Sequence, residues 1–260
     1  LIETNPVRLN GKDLSEKITQ HIQELAEATD AARMSADMVN YLEICARFHQ
    51  YSVYNLWCIL LSYPKASRVA GFQTWKSLGR YVRKGEKGIP ILAPILYPED
   101  PDVVNSRKIL RGFRTVYVFD ISQTEGQPLP EPPDWKSPQQ NQVLFNRLVE
   151  FANSKGIIVS VKNLKFEIQG VSLGGTIEID PSAGTKTLIH EIAHELMHHG
   201  TDAPLDPAIR ELEAESVAYV VAQHFGLENL SSPNYIALHG ANSELVSGHM
   251  ERIRKTAVEI

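Results

Sequence analysis

The stretch His190-Glu191-Ile192-Ala193-His194 decides the reading of this chain. On an α-helix, residues four apart stand about one turn along the axis, ~6 Å, and ~40° round it. Two imidazoles so placed converge on one ion at the ~2.0–2.1 Å of a zinc–nitrogen bond. Glu191 between them leans toward the open coordination position, where a carboxylate takes a proton from water acidified by the ion. Zn2+ is the expected cofactor, with Mn2+ or another divalent metal as the alternative, and Glu191 is the expected catalytic base. Ile189, Ile192, Ala193, Leu196 and Met197 give this helix the apolar flanks of a domain interior. Upstream, Thr176–Ile179 reads as a strand at a sheet edge beside a substrate. Asp180-Pro181-Ser182 and Gly184 then turn the chain into a helix over 185–199.

A catalytic zinc usually takes three protein ligands. Met197 and Gly200 occupy the positions where metzincins carry Gly and His, so that pattern fails. His198 stands two turns from His190, ~12 Å along a continuous helix, too far to share the ion. His198 and His199 are therefore expected at an exposed helix end, favourable against the dipole. The next donors are Glu211, Glu213 and Glu215, in a helix over 208–225. Glu211 and Glu215 share a face with Ala218 and Ala222, where small side chains allow a close approach to the first helix. Glu213 projects from another face with Val217 and Val220. Glu211 is the expected third ligand, with Glu213 and Glu215 left as alternatives. Glu215 is also the expected partner that orients a ligand histidine, in a gluzincin-like spacing.

The 260 residues hold one large or two modest domains, and 43% apolar against 22% charged residues is globular composition. A net charge of −5, taken whole, argues against a nucleic-acid partner. The distribution reverses that inference: residues 1–138 are net +1 and 139–260 net −6. Between Ile44 and Pro98 eight bases face one acid, Glu86, with Tyr51, Tyr54, Trp57, Tyr63, Phe72, Trp75, Tyr81 and Tyr97 interleaved. Cations for phosphates and aromatic faces for unstacked bases are what single-stranded DNA binding uses. Tyr51, Tyr54 and Trp57, at helical spacing beside Leu56, Ile59 and Leu60, read as core. The expected DNA contacts are Lys76, Arg80, Arg83, Lys84 and Lys87, with Trp75 stacking on a base.

The expected fold class is α+β in two domains, 1–125 and 139–260, joined by a proline-rich linker over 126–138. Helices are predicted over 13–32, from a cap at Ser35 to 48, over 52–62, and from a cap at Thr74 to 82. Strands follow at 89–96 and 115–119. The second domain reads as a helix at 141–154, strands at 157–161, 164–168 and 176–179, and helices at 185–199, 208–225 and 244–260. Asp120 is expected to end a strand, His224 to close a helix, and Tyr235 to pack in the core, with His239 undecided. Cys45 and Cys58 sit among apolar residues as buried thiols, which points to the cytoplasm. No apolar run nears the ~18 residues of a membrane span, so no membrane partner is expected.

The C-terminal part, with His190-Glu191-xx-His194 and Glu211-Leu-Glu-Ala-Glu215-Ser-Val-Ala218, resembles ImmA/IrrE-like and ArdC-type zincins. The N-terminal part resembles the ArdC-like single-stranded-DNA-binding domain in Tyr51–Trp57, Val69–Trp75, Gly79–Gly88 and Val118–Thr124. In this order the two resemble an ArdC-like antirestriction protein. That resemblance implies a mobile-element protein protecting incoming DNA, sequence-independent DNA binding and a zincin-like metallopeptidase domain with an unknown protein substrate. Two other readings stay open: a non-catalytic single-stranded-DNA-binding protein with a structural metal site, and an ImmA-like regulatory peptidase cleaving a repressor.

Overall fold

A computed structural model describes residues 10–27, 31–100, 107–129, 138–164, 168–200, 203–204, 206–227, 230, 233 and 243–260. Tyr235, His239, most of the expected linker and residues 165–167 of one expected strand lie outside the described residues. The chain forms two compact units. One takes Leu1–Glu24 and Tyr51–Pro130, the other Leu25–Gln50 and Glu131–Ile260. The helix over 31–47 thus packs with a C-terminal helix, although it precedes the expected domain boundary.

In the first unit, α1 (Gly11–Glu27) buries Leu14, Ile18 and Ile22 completely, the three- and four-residue stripe of an amphipathic helix. The helix α3 (Val53–Ser62) is capped by Ser52, whose hydroxyl accepts from the Asn55 amide. Trp57 is buried as expected, whereas Tyr51 and Tyr54 are half-buried, with the Tyr54 hydroxyl 3.1 Å from that of Thr19. β1 (Val69–Gly71), β4 (Lys108–Asp120) and β3 (Ile89–Pro98) form an antiparallel sheet in the order β1-β4-β3. Pro90 and Pro94 fit β3 because it is an edge strand. Between them, Leu92 turns its amide and carbonyl away from β4 to the Asn55 side-chain amide, at 2.8 and 2.9 Å, so prolines of that parity forfeit no ladder bond.

Two expectations in this unit are corrected. The helix placed over 74–82 is the shorter α4 (Phe72–Ser77), entered through Gly71 rather than capped by Thr74. Gly79, at φ 70°, turns the chain into a strand, β2 (Arg80–Val82), paired with β5 (Thr124–Gly126). The strand expected at 115–119 extends back to Lys108, and its exposed Lys108, Arg111 and Arg114 break the apolar pattern that marks a buried strand. Asp120 ends β4 as expected and caps a 3-10 turn, Ile121–Gln123.

In the second unit, α2 (Ala31–Arg47) starts before Ser35, which is therefore inside the helix and not its cap. It packs against α7 (Pro207–His224), and His224 Nδ1 lies 3.0 Å from the Ala46 carbonyl. α5 (Pro138–Ser154) leads to a three-stranded sheet in the order β6-β8-β7: β6 (Ile158–Val161), β8 (Thr176–Ile179) and β7 (Gly170–Ser172). β8 is parallel to β6 and antiparallel to β7. The expected edge strand, Thr176–Ile179, is therefore the central one, and β6 and β7 are the edges among the described residues. α6 (Thr185–His198) buries Leu188, Ile189, Ile192 and Ala193 fully. It packs on α7, which is covered on nearly every side by α6, α2 and α8 (Ser243–Glu259). No helix among the described residues is long and apolar enough to cross a membrane.

Candidate metal centre

α6 and α7 bring three donors together. His190 Nε2 and His194 Nε2 lie 3.0 Å apart, as the four-residue helical spacing dictates. Glu211, in the first turns of α7, reaches them with one oxygen 3.5 Å from His190 Nε2 and the other 3.3 Å from His194 Nε2. Ligand atoms of the three residues all lie within 4.8 Å of one another. They line a cleft of about 490 Å³ together with Glu191 and the β7 residues Gly170, Val171 and Ser172. Two imidazole nitrogens aimed at each other across 3.0 Å, with a carboxylate beside them, need a cation or a proton between them. The set therefore fits a divalent ion of nitrogen and oxygen preference.

The electrostatics agree. Burial pushes the His194 imidazole down to about 3, aided by the charge of His190, so this ring is neutral and keeps a lone pair. Burial acts in the same direction on His190. The nearby carboxylates of Glu215, Glu191 and Glu211 outweigh it and raise this ring above its ordinary value. Glu191 is buried, and desolvation lifts its carboxyl above the usual range despite His190 beside it and an amide donated by Ser172. A carboxylate so raised holds a proton more readily, as a general base requires.

The three glutamates of α7 separate cleanly. Glu211 is exposed at the cleft mouth and faces both histidines. Glu215 lies 3.4 Å from His190 Nδ1 and pairs with Lys186, the position of the expected orienting partner. Glu213 cannot be a ligand: it is fully buried, where its carboxylate meets His198, His249 and Arg252. Burial opposes its charge, but those three donors hold the carboxyl down to about 2. His198 is likewise not at an exposed end. It is 8% exposed, with Nδ1 2.9 Å from His194 Nδ1 and Nε2 3.0 Å from Glu213. His199 is exposed as expected, its Nε2 2.7 Å from the Ser172 hydroxyl.

Sequence reasoning missed three contributors. Glu195 accepts the amides of Leu173, Gly174 and Gly175 at 3.0, 2.9 and 2.6 Å, and so fastens the β7–β8 turn to α6. The adjacent Gly174 and Gly175, both at positive φ, were the available signal for that turn. His249 and Arg252 come from α8, and nothing near them in sequence marks them.

The expected DNA contacts divide. Trp75 is 2% exposed and donates its indole N–H to the Phe119 carbonyl at 2.8 Å, so it cannot stack on a base. Arg80 spends its guanidinium on Thr124 and the carbonyls of Gly126 and Gln127, which holds β2 to β5. Arg83 pairs with Glu86 and the Ser122 carbonyl. Lys76, Lys84 and Lys87 remain exposed. The exposed aromatics are instead Phe72, Tyr81, Tyr97, Phe113 and Tyr117.

Residues 12–119 match the family model described as the N-terminal domain of anti-restriction factor ArdC. A Bacillus anthracis protein described as uncharacterized is 26% identical over 285 residues, 90% of this chain, and the chain spans about half of its length, 48%. The metal-free crystal structure of the antirestriction ArdC protein from R388 plasmid gives a TM-score of 0.46 at 20% identity, over 80% of this chain and 83% of that one. Its Mn(II)-bound structure gives 0.52 at 18% identity, over 95% of this chain and 96% of that one, which shows a shared fold. Residues 12–119 thus match the ArdC N-terminal domain, and nearly the whole chain shares the fold of the Mn(II)-bound ArdC structure.

Proposed function

We propose that this chain protects DNA, binding it as a single strand through its first unit and carrying in its second a zincin-like metallopeptidase centre. The observation that carries the enzymatic half is the convergence of His190, His194 and Glu211 with buried Glu191 on one cleft. The antirestriction ArdC protein whose fold it shares was crystallised with Mn(II), which supports a divalent ion here. Bound to these three residues, the ion supplies Lewis acidity toward a carbonyl oxygen and toward water.

Glu191 supplies the proton chemistry. It takes a proton from the water that attacks the peptide carbon, and returns it to the amide nitrogen as the C–N bond breaks. β7 lies against the cleft with an edge unpaired among the described residues, where an extended peptide can add as a further strand.

For the nucleic-acid half, β4 presents Phe113 and Tyr117 on one face, four residues apart, opposite Pro94 and Pro90 of β3. Lys108, Arg111 and Arg114 of the same strand are exposed and form no ion pair among the described residues. Aromatic faces among unpaired cations suit stacked bases and a phosphate backbone. The test compares the wild type with Glu191→Gln, each loaded with Mn(II), for oligo-dT binding and for cleavage of a peptide library. Cleavage is expected only from the wild type, with equal DNA binding by both. Equal cleavage by the two proteins removes Glu191 from the mechanism, and no cleavage by either reduces the chain to a DNA-binding protein.

A further inference from the structure

A line of hydrogen bonds runs from the interior of the second unit to the face of the metal set. Glu213 Oε1 accepts from His249 Nδ1 at 2.7 Å and from Arg252 Nε at 2.9 Å. Its Oε2 lies 3.3 Å from Arg252 Nη2 and 3.0 Å from His198 Nε2. An ionised carboxylate only accepts, so His198 Nε2 must carry a proton. At the other end of the line His194 Nε2 faces the proposed metal set, 3.0 Å from His190 Nε2 and 3.3 Å from Glu211, and a nitrogen that binds a cation carries no proton. The His194 N–H is then on Nδ1 and donates to His198 Nδ1 at 2.9 Å, which accepts. Donors and acceptors therefore alternate without conflict from Glu213 to the metal face.

We propose that Glu213 and His198 are positioning residues: they lock His194 in its Nδ1–H tautomer and so present its Nε2 lone pair to a divalent cation. The inference rests on the reading of His190, His194 and Glu211 as a metal set. It gives a task to a buried glutamate that no ligand role explains, and to a histidine too far along the helix to bind the ion itself.

Glu213→Gln tests the direction of the line. The amide oxygen stays with His249 and Arg252 Nε, and the NH2 group takes the Oε2 position and donates to His198. Every proton downstream then moves to the other nitrogen, and His194 Nε2 becomes an N–H. His198→Gln preserves the direction, with an amide N–H for Glu213 and an oxygen for His194, whereas His198→Leu removes the acceptor.

Two readouts on the full chain decide. Proton–nitrogen correlation spectra of histidine-labelled, metal-free protein report the His194 tautomer, and calorimetric titration with Mn(II) reports affinity. Wild type and His198→Gln are expected to show Nδ1–H and equal affinity. Glu213→Gln and His198→Leu are expected to bind Mn(II) about 10–100-fold more weakly, the usual range for losing an outer partner of a ligand. If Glu213→Gln fails to fold, the two His198 variants decide, and equal affinity between them overturns the proposal. A wild-type His194 in the Nε2–H form with Mn(II) binding intact overturns the relay alone. An Nδ1–H wild type that binds no Mn(II) overturns the metal reading, and the proposal with it.

Discussion

Gly170 stands so close to Glu191 that no side chain fits between them: a Cβ at Gly170 would lie 2.8 Å from Glu191 Cγ and 3.0 Å from its Oε1. The edge strand β7 thus holds the proposed base in place with bare backbone. Gly170→Ala is expected to push Glu191 out of the cleft. A misplacement of ~1 Å costs about 100-fold in rate, and overpacking costs about 1–3 kcal/mol of stability. Mn(II) affinity is expected to stay unchanged, because the Cβ touches none of the three ligands. Peptide cleavage and Mn(II) calorimetry on the same preparation check this, and full cleavage by the variant would separate Gly170 from the mechanism.

The glutamates of α7 are expected to give three distinct phenotypes. Glu211→Ala removes a ligand and should abolish measurable Mn(II) binding while leaving the fold intact, since Glu211 is exposed. Glu215→Ala removes the partner of His190 Nδ1 and should weaken binding about 10–100-fold. Glu213→Ala leaves Arg252 and two histidines without their buried acceptor and should cost about 3–5 kcal/mol of folding stability. Mn(II) titrations and thermal unfolding of the three variants separate these cases. A Glu211 variant that binds like the wild type would move the third ligand elsewhere.

Much of this was legible in the sequence because it depends on helical period alone. The four-residue spacing of His190 and His194 fixes their convergence wherever the helix packs, and the small face of Ala218 and Ala222 announces that α7 approaches another helix. The fate of Glu213 and His198 was not legible, because it depends on α8. His249 and Arg252 lie 36 and 39 residues beyond Glu213, and only tertiary packing turns a helix-end histidine and a spare acid into a buried pair. Trp75 misled for a related reason. Its basic neighbours suggested an exposed platform, yet α4 packs it under β4, and the indole N–H finds the Phe119 carbonyl. Trp75→Phe is therefore expected to lower stability by about 1–3 kcal/mol, from lost area and an unpaired carbonyl, while the folded protein binds oligo-dT as before. A folded variant with weakened DNA binding would restore the stacking role.

The exposed arm of the first sheet is the better place to look for nucleic acid. Arg111→Ala with Arg114→Ala is expected to weaken oligo-dT binding and to lower the slope of log affinity against log salt by about 1.4, two contacts at ~0.7 each for single strands. Tyr117→Ala is expected to cost about 1–3 kcal/mol of binding with no change of slope, because stacking releases no counter-ions. Fluorescence anisotropy across a salt series measures both. A slope unchanged in the double variant would place the phosphates elsewhere, with exposed Lys76, Lys84 and Lys87 as the remaining cations of the predicted set.

Asp120 couples the stability of the first unit to pH. Its carboxylate accepts the amides of Ser67, Arg68 and Ser122 at 2.7, 3.0 and 2.9 Å and the Ser122 hydroxyl at 2.6 Å. Burial works against the charge, but these donors outweigh it and hold the carboxyl below the usual range in the folded chain. The unfolded chain therefore binds the proton more tightly than the folded one. The stability this carboxylate contributes is fully present above the unfolded value, about 3.9, and is lost as pH falls toward the lower folded value. Asp120→Asn keeps the shape and one acceptor oxygen but removes the charge. It is expected to cost about 1–3 kcal/mol at neutral pH, the worth of charged hydrogen bonds. The cost should shrink as pH drops below about 4, where the unfolded wild type takes up a proton before the folded one does. Urea unfolding of both proteins from pH 7 to pH 3 checks this. A difference constant over that range would show that Asp120 stabilises the turn by its shape and not by its charge.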